Sequence, residues 1–189
     1  MSTKPHVAAM VLAIVAFLTS CGGPVNDHPA SSTHGAADVS FVHNMIPHHQ
    51  QAVVLAAMVP AHTGNPALRS IATQIGADQQ AEIRTLGGLL TSWGVAAGPD
   101  AMPPSDHGGM AMLGMVDQTT MDRLASLYDG PFDTLWVTSM IGHHQGAIAM
   151  AQREIAHGQS ADAIHVAELI ITAQQREIAM MTHLISASQ

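Results

Sequence analysis

The strongest constraint on the fold is an internal repeat at an offset of 95 residues. The segment FVHNMIPHHQQAVVLAA, which starts at Phe41, aligns with WVTSMIGHHQGAIAMAQ, which starts at Trp136. The same offset aligns QQAEI, starting at Gln79, with QQREI, starting at Gln174. Two separate motifs keep one spacing, which a chance match of a single motif would not do. Each half of the repeat is therefore predicted to be a helical hairpin.

Apolar residues in both halves recur at intervals of three and four, which is the spacing of an α-helix with one buried face. In the first half this pattern predicts a helix over about 41–59 and a second from Pro66 to Trp93. In the second half it predicts a first helix that contains Trp136 and a second that begins near Ala161. The sequence thus predicts an all-α fold: a ferritin-like four-helix bundle made of two repeated helical hairpins with a long crossover.

The domain boundaries follow from the repeat. The bundle domain is predicted over residues 38–189, with repeats at 38–93 and 133–187. The crossover between them, residues 94–132, is rich in Gly, Pro, Met and Asp in its first part and is expected to contain a short helix from Thr119 to Tyr128.

Composition excludes several classes of protein. The chain is 47% hydrophobic, enough for one domain with a sizeable core, but only 3% aromatic, which argues against a β-sandwich and against stacking surfaces for bases. Its 14 acidic and 6 basic residues give a formal net charge of −8, which excludes a basic groove and hence a nucleic-acid partner. A single Cys excludes a disulfide within the chain.

The amino terminus has the pattern of an export signal. Residues 1–21 contain Lys4, an apolar run shorter than the roughly 20 residues of a membrane span, and small residues before Cys21. The ending Leu-Thr-Ser-Cys resembles the bacterial lipoprotein processing box, so Cys21 is predicted to carry a lipid that anchors the exported protein to the cell envelope, outside the cytoplasm. The alternative is a plain secretory signal with an accidental Cys. Residues 22–37 lack apolar periodicity and are predicted to form a flexible tether.

The main candidate site is the doubled segment Met-Ile-Pro-His-His and Met-Ile-Gly-His-His. Each Met precedes its His pair by three and four residues, so the thioether and at least one imidazole share a helix face. Packing about a pseudo-twofold axis would bring two Met and two to four His together inside the bundle. Because thioethers are soft and imidazoles borderline ligands, the implied ion is Cu(I), or Ag(I) by analogy. The predicted ligands are Met45, His48, His49, Met140, His143 and His144.

Pro47 and its mate Gly142 directly precede the two His pairs. Both residues weaken a helix interior, by roughly 1 to 3 kcal/mol each. Such violations of local preference are expected at functional sites. The alternative is that these positions mark a helix start or a kink that accommodates packing.

Polar residues on the second helix of each half are predicted to orient the imidazoles. Gln79 and Gln174 lie on the apolar stripe, and Glu82 and Glu177 follow three residues later. A buried amide needs hydrogen-bond partners, and the His rings opposite are the nearest polar candidates. Two alternatives stay open for the glutamates, which are direct coordination of the metal and surface ion pairs with arginines.

The crossover carries further soft-ligand groups that form a possible auxiliary metal site, able to capture Cu(I) and pass it to a copper-handling partner. Methionine is also a flexible filler of packing gaps, and the segment alternatively packs over one end of the bundle. The residues concerned are His107, Met110, Met112 and Met115.

The motifs MIPHHQQAVVLA with QQAEI, and MIGHHQGAIAMA with QQREI, resemble the bacterial domain-of-unknown-function family 305 over nearly all of residues 38–187. The resemblance implies a ferritin-like four-helix bundle that is secreted or lipid-anchored. It also implies that some members bind copper or silver through Met and His. Carried over to this chain, it supports the six Met and His residues of the doubled segment.

Three functions are compatible with the sequence. The first is a copper-binding envelope lipoprotein without catalytic residues, for sequestration or handover of Cu(I). The second is a structural or partner-binding bundle in which Met and His are core residues. The third is a di-metal oxidase, which needs two Glu-x-x-His sets. The chain has one such set, ending at His157 beside a helix-terminating Gly, and this disfavours the oxidase.

Overall fold

The computed structural model describes residues 33–96 and 113–187. Within these ranges the chain is all-α, with five helices and no strand. The helices are α1 (Ala36–His62), α2 (Pro66–Trp93), α3 (Gln118–Ser126), α4 (Asp129–His157) and α5 (Ala161–Ala187). The predicted four-helix bundle is confirmed, and the short helix of the crossover is α3. Helix α1 begins at Ala36, two residues before the predicted start of the domain.

Local sequence accounts for the helix ends of the first hairpin. The side chain of Asn65 accepts hydrogen bonds from the backbone N–H groups of Ala67 and Leu68, which caps α2 directly before Pro66. At the other end, Gly94 adopts a left-handed conformation with φ 68°, which glycine tolerates without a steric penalty. These signals give α2 the bounds that the sequence predicts.

The bundle core is divided into two clusters, one toward each end. The Trp136 core joins the second half of α1 to the first half of α4, and the Phe41 core joins the first half of α1 to the second half of α4. Helices α1 and α4 therefore run antiparallel. The Trp136 core includes Leu55, Val59, Leu68, Ile75, Phe132, Trp136 and Met140, and the Phe41 core includes Phe41, Val42, Met45, Leu86, Leu90, Met150 and Ile170.

The end of the crossover packs directly on the bundle. Residues 113–116, here called the strap, are tied to α1 by two hydrogen bonds of 2.8 Å, from Gln51 Nε2 to the carbonyl of Val116 and from the Val116 N–H to Gln51 Oε1. On α4 the strap lies against Gly146, where any β-carbon would collide with the carbonyl of Leu113. Gly146 thus lets the strap approach the helix backbone closely.

Several predictions fall outside the described residues. These are the signal segment with Cys21, residues 22–32 of the tether, and His107, Met110 and Met112 of the crossover. Among the described helices, none combines the length and the apolar character that a membrane span requires.

Candidate metal centre

Four histidines form one layer in the middle of the bundle, between the two cores. His48 and His49 come from α1, and His143 and His144 come from α4; all four side chains are fully buried. The rings of His48 and His143 face each other with centroids 3.7 Å apart and an interplanar angle of 35°. The repeat therefore brings its two imidazole pairs to one place.

His48 is the member of this layer that contacts the strap. Its Nε2 lies 3.0 Å from the carbonyl oxygen of Leu113. A carbonyl can only accept a hydrogen bond, so in the neutral ring Nε2 carries the proton and Nδ1 keeps its lone pair. Nδ1 is buried and has no hydrogen-bond partner among the described residues. The strap thus fixes a tautomer that leaves one nitrogen available as a ligand.

Carboxylates approach the other two imidazoles from the second helix of each hairpin. His144 Nε2 donates a hydrogen bond to Glu177 Oε2 at 2.6 Å, and the Glu177 side chain is only 3% exposed. His49 Nε2 lies 2.7 Å from Glu82 Oε2, but the carboxylate is off the N–H direction, and Glu82 is 20% exposed. We therefore regard the first contact as a hydrogen bond and the second as an electrostatic contact. Both leave Nδ1 of the histidine buried and without a partner among the described residues.

Burial keeps the facing histidines neutral. Desolvation, with the neighbouring imidazoles adding to it, lowers the pKa of His48 to about 3 and that of His143 to about 2. Neutral imidazole is the form that binds a metal ion. His143 has no hydrogen-bond partner on either ring nitrogen within the described part of the chain. Two facing neutral imidazoles, one with both nitrogens and one with Nδ1 free of described partners, are suited to receive a cation.

The two methionines differ from the expected arrangement. Met45 and Met140 are both fully buried, but Met45 belongs to the Phe41 core and Met140 to the Trp136 core. Each Met lies about one helical turn before the first His of its own helix. Because α1 and α4 are antiparallel, the turn before His48 and the turn before His143 lie on opposite sides of the histidine layer. At 1.5 Å per residue, the Cα atom of each methionine is displaced by roughly 4.5 Å along the axis from that of the nearest histidine of its own helix. The methionines therefore flank the histidine layer on opposite sides.

The two glutamines also differ from expectation. Gln79 and Gln174 are each 1% exposed, yet neither makes a hydrogen bond to an imidazole within the described residues. Gln79 Oε1 and both amide atoms of Gln174 are without partners there. Of the four residues predicted to orient the imidazoles, only Glu82 and Glu177, three residues further along the same helices, contact them in the described structure. Neither glutamate forms an ion pair with an arginine in the described part of the molecule.

The remaining predicted positions are less informative. Both α1 and α4 continue through Pro47 and Gly142, with Pro47 exposed and no atom within 4 Å of a β-carbon built at Gly142. Met115 is half-buried in the strap. The described residues contain no group of three or more His, Cys, Asp and Glu side chains placed to hold a metal ion together. A complete coordination shell here would need the thioethers or a rotation of the rings.

Sequence reasoning missed the carbonyl of Leu113 as a partner of His48. A backbone atom leaves no signature in a pattern of side chains. A signal was nevertheless present at the repeat-related pair Gln51 and Gly146, because replacement of a long side chain by hydrogen between matching helices indicates a close approach of backbone.

The fold and the centre together define a helical bundle with a buried histidine layer. The model of the DUF305 family, described as a domain of unknown function, matches residues 38–185. The chain therefore belongs to the DUF305 family. No curated protein matches it.

Solved structures of the family share this fold. A DUF305 protein from Streptomyces coelicolor, provisionally described as secreted, is 28% identical with a TM-score of 0.72, over 80% of this chain and 93% of that one. A DUF305 fragment from Deinococcus radiodurans is 27% identical with a TM-score of 0.70, over 82% of this chain and 98% of that one.

CopM has the same fold and has been solved with metal bound. Its Cu(I)-bound form is 27% identical to this chain with a TM-score of 0.65, over 79% of this chain and 96% of CopM. Its Cu(II)-bound form is 30% identical with a TM-score of 0.67, over 80% of this chain and 97% of CopM. CopM has also been crystallised with silver.

Proposed function

We propose that this protein binds Cu(I) at the histidine layer, for sequestration or handover in the bacterial cell envelope. The observation that carries the proposal is the set of buried imidazole nitrogens without partners among the described residues, above all both nitrogens of His143. A buried polar atom without a partner is unfavourable, and a bound cation removes that penalty. The copper and silver forms of CopM support the same reading.

The donor set fits a soft ion. The residues that would hold it are His48, His49, His143 and His144, with Met45 and Met140 on the two sides of the layer. Bound copper would contribute its affinity for imidazole and thioether, and this is binding rather than turnover. The protein itself supplies neutral nitrogens, and Glu82 and Glu177 hold two of the rings from behind, as carboxylates do behind ligating histidines elsewhere.

We further propose that the protein is exported and held at the membrane by a lipid on Cys21. The sequence before Cys21 carries this part of the proposal. A lipid tether would keep the copper site at the envelope, where a copper-handling partner could receive the ion. Replacement of Cys21 by Ala is expected to release the protein into the soluble fraction, and continued membrane association of that variant would refute the anchor.

Competition against a chromophoric Cu(I) chelator tests the copper site. The wild-type protein is expected to retain Cu(I), and His143→Ala to lose it to the chelator. His165→Ala is the matched control, because this imidazole is 68% exposed on α5 and lies outside the layer. Loss in both variants, or retention in both, would contradict the assignment to the buried layer.

A second measurement separates copper binding from a metal-free scaffold. Met45→Leu combined with Met140→Leu preserves volume and hydrophobicity, so the fold is expected to remain while Cu(I) affinity falls. X-ray absorption at the copper edge should detect a sulfur ligand in the wild type that this double variant lacks. A wild-type protein indifferent to copper would instead leave the structural or partner-binding bundle as its function.

A further inference from the structure

A second polar feature lies away from the histidine layer, toward the Phe41 end of the bundle. A cavity of about 390 Å³ opens between the start of α1 and the end of α4. Its volume is within the roughly 300 to 1,000 Å³ range of small-molecule sites. The lining combines apolar side chains, including Phe41 and Met150, with the polar side chains of Asn44 and Glu154.

Two buried side chains of this cavity, Asn44 and Glu154, have oxygen atoms that accept no hydrogen bond from a described donor. Asn44 is 1% exposed; its Nδ2 donates to the carbonyl of Ser40 at 2.9 Å, but its Oδ1 has no partner in the described residues. Glu154 is 2% exposed, and neither of its carboxyl oxygens accepts a hydrogen bond from a described donor. Asn44 Oδ1 and the two carboxyl oxygens of Glu154 are therefore buried at one cavity and available to accept hydrogen bonds once Glu154 is ionised.

Burial and the neighbouring carboxylate of Asp38 together control the charge of Glu154. Asp38 accepts hydrogen bonds from the backbone N–H groups of Gly35 at 2.6 Å, Gln159 at 2.9 Å and Ser160 at 2.8 Å. Burial alone would raise the pKa of Asp38, but these hydrogen bonds together with one from Glu154 outweigh it and hold the pKa below its ordinary value. Burial and the adjacent Asp38 raise the pKa of Glu154 to about 8. Without a ligand, the pair therefore shares one proton at neutral pH.

The repeat-related positions at the opposite end of the bundle lack this pair of side chains. The position that matches Glu154 in the first half is Val59, which is fully buried in the Trp136 core, and the position that matches Asn44 is Ser139. An apolar residue at the Glu154 position is thus compatible with the fold. Burial of a carboxyl group where the fold accepts Val is unfavourable, and such a departure points to a function.

We propose that this cavity binds a small primary amine, whose ammonium group donates hydrogen bonds to Asn44 Oδ1 and to the carboxylate of Glu154 while its apolar body packs against Phe41 and Met150. Binding releases the proton of Glu154 to solvent, and the ammonium charge takes its place beside Asp38. The site is independent of the copper site, since it uses none of the four histidines.

The lining favours an ammonium group over a metal ion. An ammonium group has three N–H donors, which match in number Asn44 Oδ1 and the two oxygens of the ionised Glu154 carboxylate. The walls beyond these oxygens are largely apolar, which suits a carbon chain better than a hydrated ion. The described residues also hold no group of three or more His, Cys, Asp and Glu side chains in a metal-binding arrangement. The positive charge of Arg153, which is exposed at the lining, opposes a dication more strongly than a monocation.

Butylammonium chloride is the probe, titrated into the ¹⁵N-labelled protein and followed by the amide resonances of Ala36, Asn44 and Glu154. Saturable shifts of these resonances are expected. Tetramethylammonium chloride is the matched control cation, because it has the same charge but no N–H donor. It should produce no saturable shift. Equal responses to the two cations would overturn the proposal, because they would show attraction to negative charge alone.

Glu154→Gln is expected to lower the butylammonium affinity by about tenfold or more, since it removes a charge-assisted acceptor but keeps the side-chain volume. Glu168→Gln is the matched charge control, because Glu168 is 59% exposed on α5. It should leave the affinity unchanged. An unaltered affinity in Glu154→Gln would contradict the site, as would calcium chloride producing the same saturable shifts more strongly than the amine.

The pH dependence gives a further readout. Below the pKa of Glu154, binding must displace its proton, so the affinity should rise by about tenfold per pH unit toward pH 8. The other titratable groups that line the cavity are Arg153 and His157, and Asp38 contacts Glu154 from outside the lining. Measurements in Glu154→Gln should lose this rise, and those in His157→Gln should keep it. A rise that survives in Glu154→Gln would assign the titration to another group and refute the exchange of proton for amine.

Discussion

The two histidine pairs are equal in sequence and in internal geometry, but not in their surroundings. The ring centroids are 6.3 Å apart and the rings are tilted by 55° both in the pair His48 and His49 and in the pair His143 and His144. His48 is hydrogen-bonded to the strap, whereas His143 has no partner on either nitrogen in the described structure. The repeated sequence therefore gives the two pairs the same ring arrangement. A segment outside the repeat makes their hydrogen bonding different.

The strap is the source of this difference. A two-hairpin bundle needs only one crossover, so the end of that crossover meets the two halves through different contacts. In this protein Gln51 of α1 binds the strap through its amide, while the matching Gly146 of α4 yields the space that the strap occupies. Of the two facing imidazoles, His48 is thus hydrogen-bonded to the protein and His143 is not, within the described residues.

Acidification tests what the two halves share, and its expected effect is the largest. The folded-state pKa values of His48 and His143, about 3 and about 2, lie below the unfolded value of 6.5. The unfolded chain therefore binds protons first as the pH falls, and the metal-free protein loses stability below about pH 6.5. Between pH 7 and pH 5 the loss is roughly 2 kcal/mol per histidine, or about 4 kcal/mol for both.

Urea unfolding of the metal-free protein at several pH values measures this loss. His48→Gln and His143→Gln should each remove about half of it, because both imidazoles remain neutral over this range. An unequal division would show that the halves already differ in burial, before any ligand is bound.

Copper affinity tests what separates the halves. His143→Ala is expected to weaken Cu(I) binding by more than the roughly 100-fold upper range seen for outer partners of ligands. His48→Ala should weaken it to a similar extent, because the hydrogen bond from Nε2 to Leu113 leaves Nδ1 free to bind copper. Chelator competition on both variants measures the two losses. A smaller loss in His48→Ala would indicate that copper binds Nε2 and must first break the contact with the strap, at a cost of about 1 kcal/mol.

Much of this centre could be predicted from the repeat. The spacing of apolar residues gave the four long helices, and the duplicated His pairs predicted imidazoles in the interior. The positions of Met45 and Met140 were predicted less well, because a face of a helix says nothing about the direction in which the partner helix runs. Because the two helices are antiparallel, Met45, one turn before His48, lies in the Phe41 core, and Met140, one turn before His143, lies in the Trp136 core.

The sequence also could not predict whether the glutamines or the glutamates of the second helices contact the imidazoles. Gln79 and Glu82 are separated by less than one turn, and either could reach an imidazole across the bundle. Only the packed side chains show that Glu82 and Glu177 approach His49 and His144 while the glutamines do not. The position of the crossover end was unpredictable for a different reason, since its contact with His48 is made by a backbone carbonyl.

The carboxylates of Glu82 and Glu177, which contact His49 and His144, provide a third test of the comparison. Glu177→Gln is expected to lower Cu(I) affinity toward the upper part of a 10- to 100-fold range, or roughly 1.4 to 2.7 kcal/mol, because this carboxylate is buried and hydrogen-bonded to His144. Glu82→Gln should lie toward the lower part, since Glu82 is 20% exposed and off the N–H direction. The same chelator assay compares them. A larger effect of Glu82→Gln would reverse the order of the two halves.

Two glycines of α4 give the smallest and most local test. At Gly142 a β-carbon meets nothing within 4 Å, so Gly142→Ala should raise the free energy of unfolding by up to about 1 kcal/mol through helix propensity. At Gly146 the same β-carbon would collide with the strap, and overpacking of roughly 1 to 3 kcal/mol should exceed that gain. Gly146→Ala is therefore expected to be less stable than the wild type in urea unfolding. Equal stabilisation by both substitutions would mean that the strap does not rest on α4, and the inequivalence of the two histidine pairs would lose its structural cause.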